Sequence, residues 1–481
     1  MKAVMIILML LFSCLSWAGA INDIPYPFYA VNNRSENELM PIDSGAAALE
    51  LRLQMIRRAN KSIEVEYFCY NTDLASKIFT HELIMARERG VKVRILIDKA
   101  STVFMFNEYY ARPLLEKGIE VRYFNNASIL NFTKSIYRNH RKLLLVDGKE
   151  AITGGRNMGD EYFDMSHVFN YSDRDIYVKG PIVRAMLDSF NIYFESKMTQ
   201  KKIKLPKSTT NKKARAARAF YQFTEKELET KKGMEILGQK ALDDLKTFTC
   251  PETTFATDAP GGGIKGFFSE SYVDKYRFLR KVLLSKISDI DKSLLVSTPY
   301  FLTNDDSRTL IKGLLEKKAA VNIYTNSLAA SDATYMSTRM YATLKSWNRK
   351  GVDFFFHTGE FPGDHELLND RVLNAHWSDH SKTHIYESES FSEIMIGTFN
   401  LHNRSTYYDS EMAIFCKGSD DLTSEVKGSV LSRMEKGLRI NDQNEAIDSK
   451  GNKVNKFGTS TGKIIKMKLL GIPVWLMKFI L

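Results

Sequence analysis

Cysteine, proline and tryptophan are scarce in this 481-residue chain, with four, eleven and four residues respectively. So few cysteines exclude a disulfide scaffold, and only 27 glycines beside those prolines exclude a collagen-like or low-complexity chain. The cysteines have no metal-ligand spacing, and no HExxH accompanies the nine histidines. Long apolar runs are missing too. The stretch Ala3 to Phe12 is too short to span a bilayer. With Lys2 before it and Ala18-Gly19-Ala20 after it, it reads as a secretory signal peptide cleaved after Ala20. Lipidation at Cys14 and an uncleaved anchor are the rival readings. Export leaves Cys69, Cys250 and Cys416, so at least one stays unpaired within the chain. Cys69 and Cys416 lie in apolar, strand-like stretches and read as buried thiols.

What is present is ordinary globular material. Hydrophobic residues make up 44% and charged residues 26%, enough for a large core and a soft prior of about three domains. Lys plus Arg exceed Asp plus Glu by 68 to 57, giving a net charge of +11. That balance leaves nucleic acid, an anionic membrane surface and a phosphate-bearing substrate open as partners.

A long-range internal repeat organises the chain. The segment from Lys61 to Phe68 alternates like a half-buried strand, residues 74–89 read as a helix, and Val91, Val93, Ile95 and Ile97 form a second strand. The pattern returns as a strand around Leu294 to Val296, a helix around Leu310 to Lys317, and a strand from Val321 to Tyr324. Two βαβ units imply two similar α/β halves, each with a parallel or mixed sheet covered by helices. The layout is a signal peptide (1–20), a lead (21–45), a first lobe (46–200), a basic linker (201–270), a second lobe (271–418) and a C-terminal extension (419–481). Residues 201–219 hold eight Lys or Arg and no acid, a solvated linker or a contact for anionic headgroups. Residues 251–263 read as an irregular loop. The tail from Lys463 has four lysines, no acids and large apolar residues including Trp475, Leu476 and Phe479. It suits the membrane interface, with docking on the protein's own core as the competitor.

Each half carries one chemical motif. His140-Arg141-Lys142 with Asp147 is H-x-K-x4-D, followed by Gly154-Gly155-Arg156-Asn157. His380-Ser381-Lys382 with Glu387 repeats it, followed by Gly397-Thr398-Phe399-Asn400. Strand alternation places His and Lys on one face, and the returning strand brings Asn beside them. Two such sets provide two imidazoles, two ammonium groups (Lys142, Lys382) and two amides (Asn157, Asn400) to hold a phosphodiester. One histidine attacks phosphorus while the other protonates the leaving oxygen. Neither metal nor cofactor is required. His376, His380 and His384 recur every four residues, a metal-site spacing only if the segment were helical, whereas its residues favour strands.

These motifs resemble those of the phospholipase D superfamily, and more narrowly the bacterial cardiolipin synthases of the C-type branch. The likeness runs from about residue 45 to the C-terminus and extends to residues 154–163, 325–332 and Arg404-Ser405. It implies two lobes, each a mixed β-sheet flanked by helices, with the active site between them and a phosphohistidine intermediate. His140, Lys142, Asn157, His380, Lys382 and Asn400 carry over as site residues, and Asp175 and Glu411 match the carboxylates that support the histidines. Asp147 and Glu387 complete the catalytic motifs at a position usually regarded as structural. The implied reaction joins phosphatidylglycerol to a second phospholipid on a membrane surface. A secreted phospholipase D releasing phosphatidic acid, a nuclease and a non-enzymatic lipid-binding protein are the alternatives; the interfacial tail argues against nucleic acid as partner.

Overall fold

A computed structural model describes residues 30–469, apart from 103–104, 126–135, 262–272, 274, 364–367, 369–371, 456 and 460. The signal peptide and the end of the tail, with Trp475, Leu476 and Phe479, lie outside the described residues.

Each half of the repeat builds the centre of its own sheet. In the first, Ser62–Tyr67 runs parallel to Lys92–Asp98 and antiparallel to Leu143–Val146, so Ile63 faces Val93 on one side and Val146 on the other. In the second, Ser293–Ser297 is parallel to Ala320–Asn326 and antiparallel to Thr383–Glu387, with Leu294 between Val321 and Tyr386. The helices Leu74–Glu88 and Asp305–Glu316 make the two crossovers. Both sheets are therefore mixed and flanked by helices, as the resemblance implies. Each crossover is followed by a hairpin, Leu143–Val146 with Glu150–Gly154 and Thr383–Glu387 with Ser392–Gly397. The first hairpin turns through Asp147 and Gly148, both at positive φ, the conformation that a tight Asp-Gly turn supplies.

The two sheets face each other. Leu143, Leu145, Ile176 and Val178 of the first share one apolar core with Ile385, Ile394, Ile396 and Ile414 of the second. Separate cores lie on the outer side of each sheet. Having both faces covered explains why Ser62–Tyr67 is not half-buried. Glu64 and Glu66 are buried and answered by Arg94 at 2.9 Å and Arg141 at 3.1 Å.

The connecting segments are more ordered than their composition suggests. The basic stretch includes the helix Lys212–Phe220, and the helix Glu225–Asp243 follows behind a Thr224–Glu227 capping box. That second helix packs on Gly45–Arg58, where Arg57 meets Glu235 at 2.6 Å. The irregular loop expected over 251–263 is instead opened by a strand, Glu252–Thr257, paired with Met412–Lys417 in the second sheet. Its β-branched run of threonines fits a pleated surface. Just before it, Phe248–Cys250 pairs in the first sheet, so the chain changes sheets at Pro251. A Cys250–Cys416 disulfide crosses this junction, which corrects the reading of Cys416 as a buried thiol; Cys69 is free. The two residues are 166 apart, a separation that hides the pair in the sequence. The helix Thr461–Leu469 opens the tail and packs on Thr334–Asn348, where Thr338 Oγ1 donates to Met467 O at 3.0 Å. Among the described residues, no helix is long and apolar enough to cross a membrane.

Candidate active site

The two motifs meet where the sheets face each other, and each histidine is held by the opposite lobe. His140 N donates to Ser410 O at 3.0 Å, and His380 N donates to Ser172 O at 2.8 Å. The next residue in each case is an acid. His140 Nδ1 lies 3.0 Å from Glu411 Oε2, and His380 Nδ1 lies 2.6 Å from Asp173 Oδ2. The site thus has a pseudo-two-fold arrangement in which neither lobe holds a complete set.

Asp173, not Asp175, supports His380. Asp175 is buried two residues further on and pairs with Arg52 at 2.8 Å and Arg156 at 3.4 Å. It organises the start of its strand instead of touching either imidazole. The dipeptides Ser172-Asp173 and Ser410-Glu411 are the matching positions, and that repeated Ser-acid pair is the signal that identifies the residue. Gly155 makes the approach possible, because a Cβ there would stand 2.0 Å from Asp173 Oδ1. In the second lobe the corresponding Thr398 instead donates its hydroxyl to Glu411, as does Ser405 at 2.5 Å.

Lys142 and Lys382 are 1% and 0% exposed, and the histidines 8% and 9%. Lys142 Nζ donates to His140 O at 2.7 Å, and Lys382 Nζ lies 2.8 Å from His380 Nδ1. Burial pushes the lysines down to about 7 for Lys142 and about 8 for Lys382. Burial and then the lysine charges hold His140 well below its ordinary value, and His380 is lowered by burial and Lys382. The two carboxylates diverge. Burial raises Glu411 well above the ordinary range against the pull of Lys142. At Asp173 burial acts upwards as well, but His380 and Lys382 outweigh it and the group is lowered.

Aromatic rings wall the pair. Phe68 meets His140 edge-on at 4.8 Å, and Tyr171 lies 4.8 Å from His380. Tyr171 and Tyr300 both donate hydroxyls to the exposed Asp332. Nothing in the motif spacing announces these residues. Asn157 accepts from Cys69 N at 3.1 Å and donates to Tyr162 OH at 2.9 Å, so part of its amide is committed to the wall. Asn400 Oδ1 is buried with no hydrogen-bond partner among the described residues.

Asp147 and Glu387 are not at the site. Each follows its lysine by five strand residues, about 16 Å away at roughly 3.3 Å per residue. Asp147 accepts the backbone N–H of Lys61 at 2.7 Å and of Ser62 at 3.0 Å, fixing the entry to the central strand. Glu387 does the same work differently, accepting from Ser293 Oγ and pairing with Lys427 at 2.6 Å. His376 and His384 lie on two separate strands, bonded to Ala329 O and Tyr386 OH. Among the described residues, no group of three His, Cys, Asp or Glu side chains is arranged to hold a metal.

The family described as "Cardiolipin synthase, PLD-like domain" matches residues 53–176 and 283–432, more than half of the chain and both halves of the repeat. The chain belongs to this family. It is an enzyme of the phospholipase D superfamily, in the phosphatidyltransferase and phosphodiesterase group. Cardiolipin synthase C of Escherichia coli K12 is 25% identical over 395 residues, covering 78% of this chain and 80% of that protein. Cardiolipin synthase 2 of Bacillus anthracis is 25% identical over 404 residues, covering 83% and 65%. An uncharacterized protein of Helicobacter pylori 26695 is 26% identical over 409 residues, covering 79% and 76%. The crystal structure of phosphatidylserine synthase from Haemophilus influenzae superposes with a TM-score of 0.62 at 15% identity, covering 92% of this chain and 95% of that one, and shows the shared fold.

Proposed function

We propose that this phospholipase D-family enzyme makes cardiolipin, transferring the phosphatidyl group of phosphatidylglycerol to a hydroxyl of a second phospholipid. The observation that carries this reading is the crossed pair of histidine–carboxylate contacts, flanked by two lysines, in a site almost closed to solvent. Among the described residues, the hydrogen-bond contact of His140 Nδ1 is with Glu411. With Nδ1–H donated there, Nε2 keeps its lone pair and attacks phosphorus. His380 Nδ1–H, donated to Asp173, stabilises the imidazolium whose Nε2–H protonates the leaving glycerol oxygen. The P–O bond to glycerol breaks as the P–N bond to His140 forms, and Lys142 and Lys382 neutralise the equatorial oxygens. His380 then takes the proton of the acceptor hydroxyl, whose oxygen displaces His140 from phosphorus.

Water competes with that acceptor, so transfer needs a held alcohol and excluded solvent. Exposure of only 8% and 9% at the histidines supports this. Export by the signal peptide and attachment through the tail complete the proposal. A disulfide between buried strands suits an oxidising compartment. Hydrolysis by a secreted phospholipase D is the second reading, favoured by that same export. In vesicles of phosphatidylglycerol and phosphatidylethanolamine, the expected main product is cardiolipin. Phosphatidic acid dominating at saturating acceptor would establish the second reading instead. Quenched single turnovers should carry the phosphatidyl group on His140; an adduct on His380 reverses the assignment of roles.

A further inference from the structure

Behind the site lies a second cavity that the proposed reaction does not use. The lobes exchange a two-stranded parallel ribbon, Phe169–Ser172 beside His376–Asp379, with Asn170 opposite Trp377 and Ser172 opposite Asp379. Side chains alternate along it. Tyr171 turns to the catalytic side, 4.8 Å from His380. Ser172 and Trp377 turn the other way and line a cavity of about 600 Å³, within the range of about 300–1,000 Å³ usual for small-molecule sites. Ser44, Ser432, Arg433 and Lys436 also line it, and it opens past Ser432 and Lys436, which are exposed.

Among the described residues, the unspent charged and aromatic groups of this cavity are donors. Asp43 is fully occupied, with Arg174 at 2.6 Å, Arg433 at 3.2 Å and the Ser429 hydroxyl on its oxygens. Asp164 is turned to the helix N-terminus, accepting Gly45 N at 2.7 Å. By contrast, Trp377 is 1% exposed and its Nε1 has no hydrogen-bond partner among the described residues. A buried indole N–H without an acceptor is costly and normally answered. Lys436 Nζ reaches only backbone carbonyls, Pro362 O at 2.9 Å and Gly363 O at 3.4 Å, so its charge faces no carboxylate among the described residues. Arg433, on the same wall, is already paired with Asp43 at 3.2 Å and Asp379 at 3.5 Å, so it adds positive potential and not a free donor. An ammonium and an indole N–H lining one cavity with serine hydroxyls complement a phosphate-bearing anion.

We propose that this cavity is a second anion site, taking a phosphate group either from a soluble phosphate ester or from a lipid headgroup. It is separate from the transfer chemistry and stands whether or not the proposed reaction is right. It is also coupled to that chemistry by position, since Ser172 precedes Asp173 and Asp379 precedes His380. The test uses the full chain labelled with 5-fluorotryptophan, the Trp377 resonance being assigned with Trp377→Phe. Titration with inorganic phosphate or glycerol 3-phosphate should shift that resonance saturably. Lys436→Glu, at an exposed position, should weaken the response about tenfold or more, equivalent to roughly 1.4 kcal/mol. A parallel arm adds phosphatidylcholine vesicles with and without phosphatidic acid. A shift with the phosphatidic acid vesicles alone assigns the site to a lipid headgroup, and a shift with soluble phosphate alone to a free ester. A resonance unmoved in both arms, or a Lys436→Glu protein that titrates like the wild type, overturns the proposal.

Discussion

Gly155→Ala is the smallest change expected to disable catalysis, and it does so without touching a motif residue. The new methyl carbon would lie 2.0 Å from Asp173 Oδ1, 2.6 Å from Cγ and 2.7 Å from Oδ2. Ordinary contact begins near 3.4 Å, so the carboxylate has to retreat by about 1.4 Å. A shift of that size breaks the geometry of the 2.6 Å contact that Asp173 Oδ2 makes with His380. A misplacement of about 1 Å at a catalytic contact costs on the order of 10²-fold, and loss of positioned acid–base function costs about 10²–10⁴-fold. We therefore expect kcat to fall about 10²-fold or more, with KM changed much less because the lysines keep their places. Asp173→Asn should give a similar loss and add little to Gly155→Ala, since both remove one contact. The assay is steady-state turnover of a soluble short-chain phosphodiester, with circular dichroism to confirm folding. A folded Gly155→Ala enzyme with wild-type kcat would refute the claim that Asp173 orients His380.

Three further outcomes follow from the same geometry. Lys142 and Lys382 titrate at about 7 and about 8, so raising the pH through that range removes positive charge and kcat/KM should fall on the alkaline side. A bound phosphate holds the protons on the lysines, so the corresponding limb of kcat should lie at higher pH; identical limbs would contradict their role as phosphate ligands. Replacing Cys250 and Cys416 by serine opens a 166-residue loop and should cost about 2–5 kcal/mol, read as a lower denaturation midpoint; an unchanged midpoint would show that the junction does not depend on the bond. Truncation after Leu469 should weaken binding to anionic liposomes while short-chain substrates are still turned over, whereas truncation before Thr461 should also lower stability because that helix packs on Thr334–Asn348. Unchanged liposome binding after the first truncation would remove residues 470–481 from the membrane contact.

The central strands, both crossovers and both hairpins are legible because periodicity and turn chemistry are local. His140, Lys142, His380 and Lys382 are legible for the same reason, each pair being two residues apart on one strand. What the sequence hides is long-range. The choice between Asp173 and Asp175 depends on which residue follows the cross-lobe contact at Ser172, and two residues along a strand share one face. The disulfide joins positions 166 apart, and the strand Glu252–Thr257 is stabilised by a partner from the far end of the second lobe. Asp147 and Glu387 were marked by a motif that is real but serves the strand entry. A shared pattern reports shared constraint, and fold and chemistry both impose constraints.

The two halves are alike in backbone and unlike in electrostatics, and that combination suits a two-step displacement. Duplicated lobes supply two imidazoles facing one phosphorus, but identical surroundings would give both the same proton affinity. Here Gly155 stands opposite Thr398, and Asp173 opposite Glu411. The glycine lets Asp173 approach His380 closely, in the presence of Lys382, and the carboxylate stays below its ordinary range. The threonine and Ser405 surround Glu411 with hydroxyls while burial drives it upwards. One imidazole is thereby backed by a firmly ionised carboxylate and a neighbouring ammonium, and the other by a carboxyl whose charge is weakly held. Exchanging Gly155 and Thr398 alone does not exchange the roles, because the acids also differ in length. Because each acid comes from the opposite lobe, this asymmetry arises only when the lobes are docked. That makes the shared apolar core between the sheets part of the catalytic apparatus as well as of the fold.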